Sequence, residues 1–366
     1  MMAAKPRNTE GLWLKIGILL AIKVAGALFA TIVFNRFSPL VDSKLYLSGY
    51  YTTDRFLRTQ LINTLAVSLN HVGGPLFAHV TFGMISSAGI IYYYATGGRR
   101  WPLMLLLLLP SAFIWTSIVG KEAIYAGCFS MLLVIWSRYC VEKPNPTSVI
   151  LALLSLGTCL ILRPHYGLAI IWLFVATYII KQLGDRSWSV LLTALALVVL
   201  SVYFFAWTDI LYRGFGSIEA SARASRYALF DIEPQTGFGF EHFKRMLPLG
   251  VITGIVGPLP SELMSRPEFL PFFLEGLFVL FAPLVIYRYA KRHDFADKQL
   301  FCRLYLWCIV PAVLALMILH APFGLLNPGS ATRWRTNFES LFYLAPLFLL
   351  FRFTDNKRNE DSSLSS

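Results

Sequence analysis

Charge is what this chain has least of: 14% of its residues are Asp, Glu, Lys or Arg, where a soluble globular domain carries about 25%. Acids are the scarcer kind, 20 against 32 Lys and Arg, for a formal charge of +12. In a soluble protein that excess would suit nucleic acid. No basic–aromatic groove pattern of the single-strand-binding kind accompanies it, so nucleic acid is not an expected partner. Cysteine is rare too. All five cysteines fall in or beside apolar blocks and none in an expected outer loop, which argues against a disulfide framework. CxxC, HExxH and His/Cys clusters are absent, so no metal site is expected. The Asn145-Pro-Thr147 triplet carries the proline that blocks N-glycosylation. With no P-loop and no Rossmann pattern there is no place for a nucleotide sugar, and no cofactor is expected.

What is present is apolar residue in long blocks, 56% of the chain, with a mean hydropathy of +0.60. Blocks without an amphipathic stripe are the mark of an all-α, polytopic membrane protein. Aromatics gather at block ends, as at membrane interfaces. Ten spans are expected, at about 11–34, 74–95, 101–119, 123–137, 148–162, 166–180, 189–207, 270–287, 300–320 and 338–350. The first block is longer than a signal-peptide core and contains Lys15 and Lys23, so it reads as an uncleaved span, with Lys23 snorkelling towards the interface.

Both termini are then cytoplasmic, within a single membrane domain covering 1–366 whose tail, 353–366, is expected to be disordered. The outer loops are 35–73, 208–269 and 321–337. In the first of them Leu57, Leu61, Leu65 and Leu69 recur every four residues, with Arg55, Arg58 and Gln60 off the stripe. That spacing predicts an interfacial helix. Pro110 should kink or break the third span. Around Arg163-Pro-His165 the two flanking blocks are only about 15 residues each, about 22 Å of helix against a core of about 30 Å, which sinks the turn below the outer surface.

Cations crowd the cytoplasmic ends of short loops, as orientation requires, yet the outer side carries nearly as many. An anionic ligand handled on that side would explain them. The centre of the chain is Trp115-Thr-Ser-Ile-Val-Gly-Lys-Glu-Ala-Ile-Tyr125, where Lys121 and Glu122 sit in a connection too short to lift them into water. Ionisable groups at membrane depth are functional candidates; the alternative is a polar-capped hairpin whose charges snorkel apart. Arg333 and Arg335 are expected in the first turn of the last helix, capped by Ser330 or Thr332. There they would oppose its dipole unless an anion bound. Asp42, beyond the first span, is a candidate general base, and Glu122 is the second acid of interest. Arg58 reads as an i,i+4 partner of Asp54 and as a further substrate contact, and His165 as a proton relay.

An acid after the first span followed by a surface helix resembles the glycosyltransferases of the GT-C class, which use polyprenyl- or dolichyl-linked donors. Pro110-Ser-Ala-Phe-Ile-Trp-Thr-Ser-Ile-Val-Gly-Lys-Glu122, Leu162-Arg-Pro-His165 and Thr332-Arg-Trp-Arg335 look like segments of bacterial surface-polysaccharide polymerases of the Wzy type. The resemblance implies a bacterial inner-membrane enzyme that joins O-antigen or capsule units on the periplasmic side. Its substrate would be a polyprenyl-diphosphate-linked glycan, with membrane lipids and a chain-length regulator as further partners. Arg163, Arg333, Arg335 and Lys121 would hold the diphosphate, and Asp42 takes the place of the class's acid. The paired Asp-Glu or Asp-x-Asp of that class is missing. A single-sugar or phosphoryl transferase is the nearest alternative, and a flippase of lipid-linked sugars the non-enzymatic one.

Overall fold

The computed structural model describes residues 9–38, 40–51, 56–207, 240–293, 295, 297–324 and 328–364. Among them there is helix and no strand. The α-helices are α1 (Thr9–Leu28), α2 (Val41–Leu47), α3 (Leu57–Ser86), α4 (Ala88–Ala95), α5 (Pro110–Trp115), α6 (Lys121–Val141), α7 (Pro146–Leu162), α8 (Pro164–Leu183), α9 (Ser187–Trp207), α10 (Phe240–Val256), α11 (Pro260–Ser265), α12 (Leu270–Arg292), α13 (Lys298–Leu304), α14 (Val310–Gly324), α15 (Pro328–Arg335) and α16 (Ser340–Leu364). A π turn, Phe29–Val33, and a 3₁₀ turn, Phe34–Arg36, prolong α1, and a π turn, Tyr305–Ile309, joins α13 to α14.

Among the described residues, five helical stretches are long and apolar enough to cross a membrane: Gly11–Arg36, Lys121–Val141, Pro164–Leu183, Pro267–Arg292 and Lys298–Ala321. They become six if α3 and α4, bent by 54° at their junction, form one span. The chain is thus a multi-pass, all-α membrane protein. Large apolar side chains lie exposed along these helices, among them Leu14, Leu168, Phe281 and Val285. Water would penalise such a surface and lipid does not.

Local chemistry accounts for the breaks. Pro110 has no N–H and pushes the residue before it out of the helical region, and Leu109 sits at ψ 134°. The expected third span is therefore a 3₁₀ segment, Trp101–Leu108, followed by the short α5. Within α3 the helix breaks at Gly74, with φ 78° and ψ 179°, a backbone state only glycine enters easily, and Pro75 follows. The leucine-striped segment and the membrane-length segment are parted there. At the other end of the chain α16 continues to Leu364, beyond the boundary expected near Arg352. The Arg- and Gly-rich stretch 208–239 and Asp54 lie outside the described residues.

The fold divides into two compact units, Met1–Ile135 with Asn145–Pro164, and Trp136–Pro144 with His165–Ser366. In the first, α1 packs on α3 and α5, and α2 on α3. A side chain at Gly26 would stand 2.5 Å from the Phe113 carbonyl, so α1 and the end of α5 meet at backbone distance. In the second, α10 packs on α14, α12 and α15, and α12 on α16. There the indole of wholly buried Trp136 donates to Thr177 Oγ1 at 2.8 Å.

Candidate functional site

The stretch between α5 and α6 is enclosed: Thr116 to Gly120 are all buried, as are Ile114 and Trp115 at the end of α5. Buried backbone outside a helix must find other hydrogen-bond partners. At Val119 side chains provide them. Its N–H donates to His79 Nδ1 of α3 at 3.0 Å, and its carbonyl accepts from Ser43 Oγ of α2 at 2.5 Å. One peptide segment is thereby clamped by two helices that sequence alone gives no reason to pair.

The two charges that follow are held as well. Lys121 donates to Thr59 Oγ1 of α3 at 2.9 Å. Glu122 accepts from Arg163 NH2 at 2.9 Å, with side-chain exposures of 3% and 12%, low enough that water screens the pair only weakly. Glu122 lies in the first turn of α6, where a carboxylate complements the helix dipole. Its Oε2 folds back over Gly120, 2.9 Å from where a Cβ would stand. The snorkelling hairpin is thus not what forms; both charges are engaged inside the protein.

Lys23 corrects the sequence reading more sharply. It does not snorkel. Its side chain is wholly buried and its amine donates to Thr116 Oγ1 at 2.6 Å and towards the Ala112 carbonyl at 3.5 Å. Thr116 in turn donates to that same carbonyl. The amine is tied to the end of α5, just ahead of the clamped segment.

Asp42 stands in the first turn of α2, half-buried, immediately before the Ser43 that grips Val119. Arg58 precedes Thr59, the partner of Lys121, and its guanidinium lies over the Phe56 ring at 5.3 Å. Asp42, Arg58, Lys121, Glu122 and Arg163 all belong to the first unit. A cavity of about 430 Å³ opens in the same unit, lined by Asn35, Ser43, Lys44, Asn70 and His79 among others.

His165, Arg333 and Arg335 belong to the second unit. His165 packs edge-on to Tyr166 and stacks on Phe323. Tyr166 shares a 2.8 Å hydrogen bond with His320 Nδ1. Arg333 is half-buried. Arg335 is fully buried, its Nε donating to Glu339 at 3.1 Å, its NH2 to Glu275 at 2.7 Å and its NH1 to the Ile255 carbonyl. Protein acceptors therefore meet all three guanidinium nitrogens. The expected dipole clash is also absent. Both arginines sit in the last turn of α15, the favourable end for a cation, because a turn at 336–339 separates α15 from α16.

Sequence reasoning missed Ser43, His79 and Glu339, and counted Lys44 only among the outer-side cations. His79 left one signal, a lone histidine within an apolar block; Ser43 and Glu339 left none. No group of three His, Cys, Asp or Glu side chains suited to a metal ion occurs among the described residues. Comparison of the chain with family models, with curated proteins and with solved structures gives no match.

Proposed function

We propose that the protein is a bacterial inner-membrane glycosyltransferase, joining a polyprenyl-diphosphate-linked glycan to a lipid-linked acceptor as in surface-polysaccharide polymerisation. In this reading ten spans place both termini in the cytoplasm and the Val119–Glu122 turn on the periplasmic side. One observation carries the reading. Helices α2 and α3, the start of α6 and the Arg163 turn meet at one buried segment, and these are the elements that hold Asp42, Arg58, Lys121, Glu122 and Arg163.

Asp42 is the half-exposed acid of the set, and it takes the proton of the acceptor hydroxyl. The oxygen attacks the anomeric carbon of the donor, whose bond to the diphosphate breaks with both electrons leaving on the phosphate. Lys121 and Arg163 offset the charge that grows there, in a partly dry setting where such interactions are stronger than in water. Glu122 orients Arg163. Arg335, held by two carboxylates and a backbone carbonyl, ties α12 to α15 and does not touch substrate.

The test is complementation of a deletion strain with Asp42→Asn and with Lys121→Gln, profiling surface polysaccharide on gels beside membrane levels of the protein. Loss of the general base lowers the rate about 10²–10⁴-fold. The Asp42→Asn strain should lack the ladder at a normal protein level. A wild-type ladder from both variants would overturn the reading.

A further inference from the structure

The cavity of the first unit has a polarity that its hydrogen bonds determine. Asn35 Oδ1 accepts the Leu40 N–H at 3.0 Å, so the amide is oriented and its Nδ2 donor is left for the cavity it lines. His79 Nδ1 accepts the Val119 N–H at 3.0 Å, which puts the ring proton on Nε2. Lys44, also lining the cavity, makes no ion pair among the described residues. Three donors, one of them charged, thus border a space with no Asp or Glu among the described residues that line it.

The remaining polar groups are complementary. Ser43 donates its proton to the Val119 carbonyl and Ser48 to that of Leu45. Asn70 Nδ2 donates to the Leu47 carbonyl. Each is left with acceptor lone pairs. At about 430 Å³ the space lies within the usual range for small-ligand sites, about 300–1,000 Å³. Its lining mixes these groups with Leu40, Leu47 and Pro75.

We infer that this cavity binds a singly charged oxyanion carrying hydroxyl groups, the anion on Lys44, Asn35 Nδ2 and His79 Nε2 and the hydroxyls on Ser43, Ser48 and Asn70. One lysine compensates one negative charge, which sets this ligand apart from a diphosphate. The inference concerns binding alone and stands without the glycosyl-transfer reading. The same chemistry occurs in a glycerol-phosphodiester lipid headgroup and in an acidic sugar.

Full-length protein in phosphatidylcholine nanodiscs is titrated in separate arms with short-chain phosphatidylglycerol, the phosphodiester glycerophosphoglycerol, glucuronate and inorganic phosphate, and binding is read by calorimetry. Saturable binding at one site by a hydroxylated anion is expected, weakened about tenfold or more by Lys44→Gln. Asn35→Asp should abolish it, because the new carboxylate still accepts the Leu40 N–H but turns an anionic oxygen to the ligand. Phosphatidylglycerol alone binding supports a lipid headgroup; glucuronate alone supports an acidic sugar. Three results overturn the inference: no saturable binding in any arm, binding unchanged in both variants, or inorganic phosphate binding as tightly as the hydroxylated anions.

Discussion

Glu122 and Arg163 are worth more to each other than either is to the fold. Removing one partner of a buried ion pair strands the other charge, at about 3–5 kcal/mol, whereas replacing both with apolar residues is often neutral or stabilising. Arg163→Ala should therefore lower the thermal midpoint in detergent sharply, and the double variant Arg163→Met with Glu122→Met should recover most of the loss while remaining inactive. The cluster around Arg335 obeys the same rule with an imbalance, since two buried carboxylates share one guanidinium. Glu339→Gln removes a like charge and keeps an acceptor for Nε, so its thermal midpoint should equal or exceed that of the parent. Arg335→Met removes the guanidinium that both acids share and should unfold at much lower temperature.

Among the elements, α3 shows how far periodicity can be read. The four-residue leucine spacing predicts an amphipathic helix, and a helix forms. The first half of its stripe turns outward, with Leu57 and Leu61 at 61% and 49% exposure and Leu65 and Leu69 half-buried, while Ile62, Asn63 and Ala66 are packed inside. Neighbouring positions should then respond unequally: Ile62→Ala costs about 2–5 kcal/mol as a core truncation, and Leu61→Ala much less, both read as unfolding midpoints. The break at Gly74 belongs to the same scale. Gly74→Ala forces a side chain into a glycine-only backbone state at about 1–3 kcal/mol, and should lower stability although nothing outside its own stretch of chain lies within 4 Å of the added methyl.

For the whole molecule, the topology proposed above predicts opposite labelling of cysteines introduced at Lys44 and Arg100. In a background without native cysteines, a membrane-impermeant maleimide should reach position 44 in spheroplasts and position 100 only after lysis. Labelling of both from one side would refute that topology. The membrane class and the break at Pro110 were legible in the sequence. They depend on hydropathy and backbone sterics, properties each residue brings with its immediate neighbours. The partners were not. Arg163 finds Glu122 across 41 positions, Ser43 finds Val119 across 76, Lys23 finds Thr116 across 93, and Arg335 finds Glu275 across 60. Side chains of unremarkable type, such as Ser43 and Asn35, acquired their chemistry only where folding oriented their donors and acceptors. Composition decides that charges inside this protein are costly; only the packing of distant helices decides which groups relieve that cost.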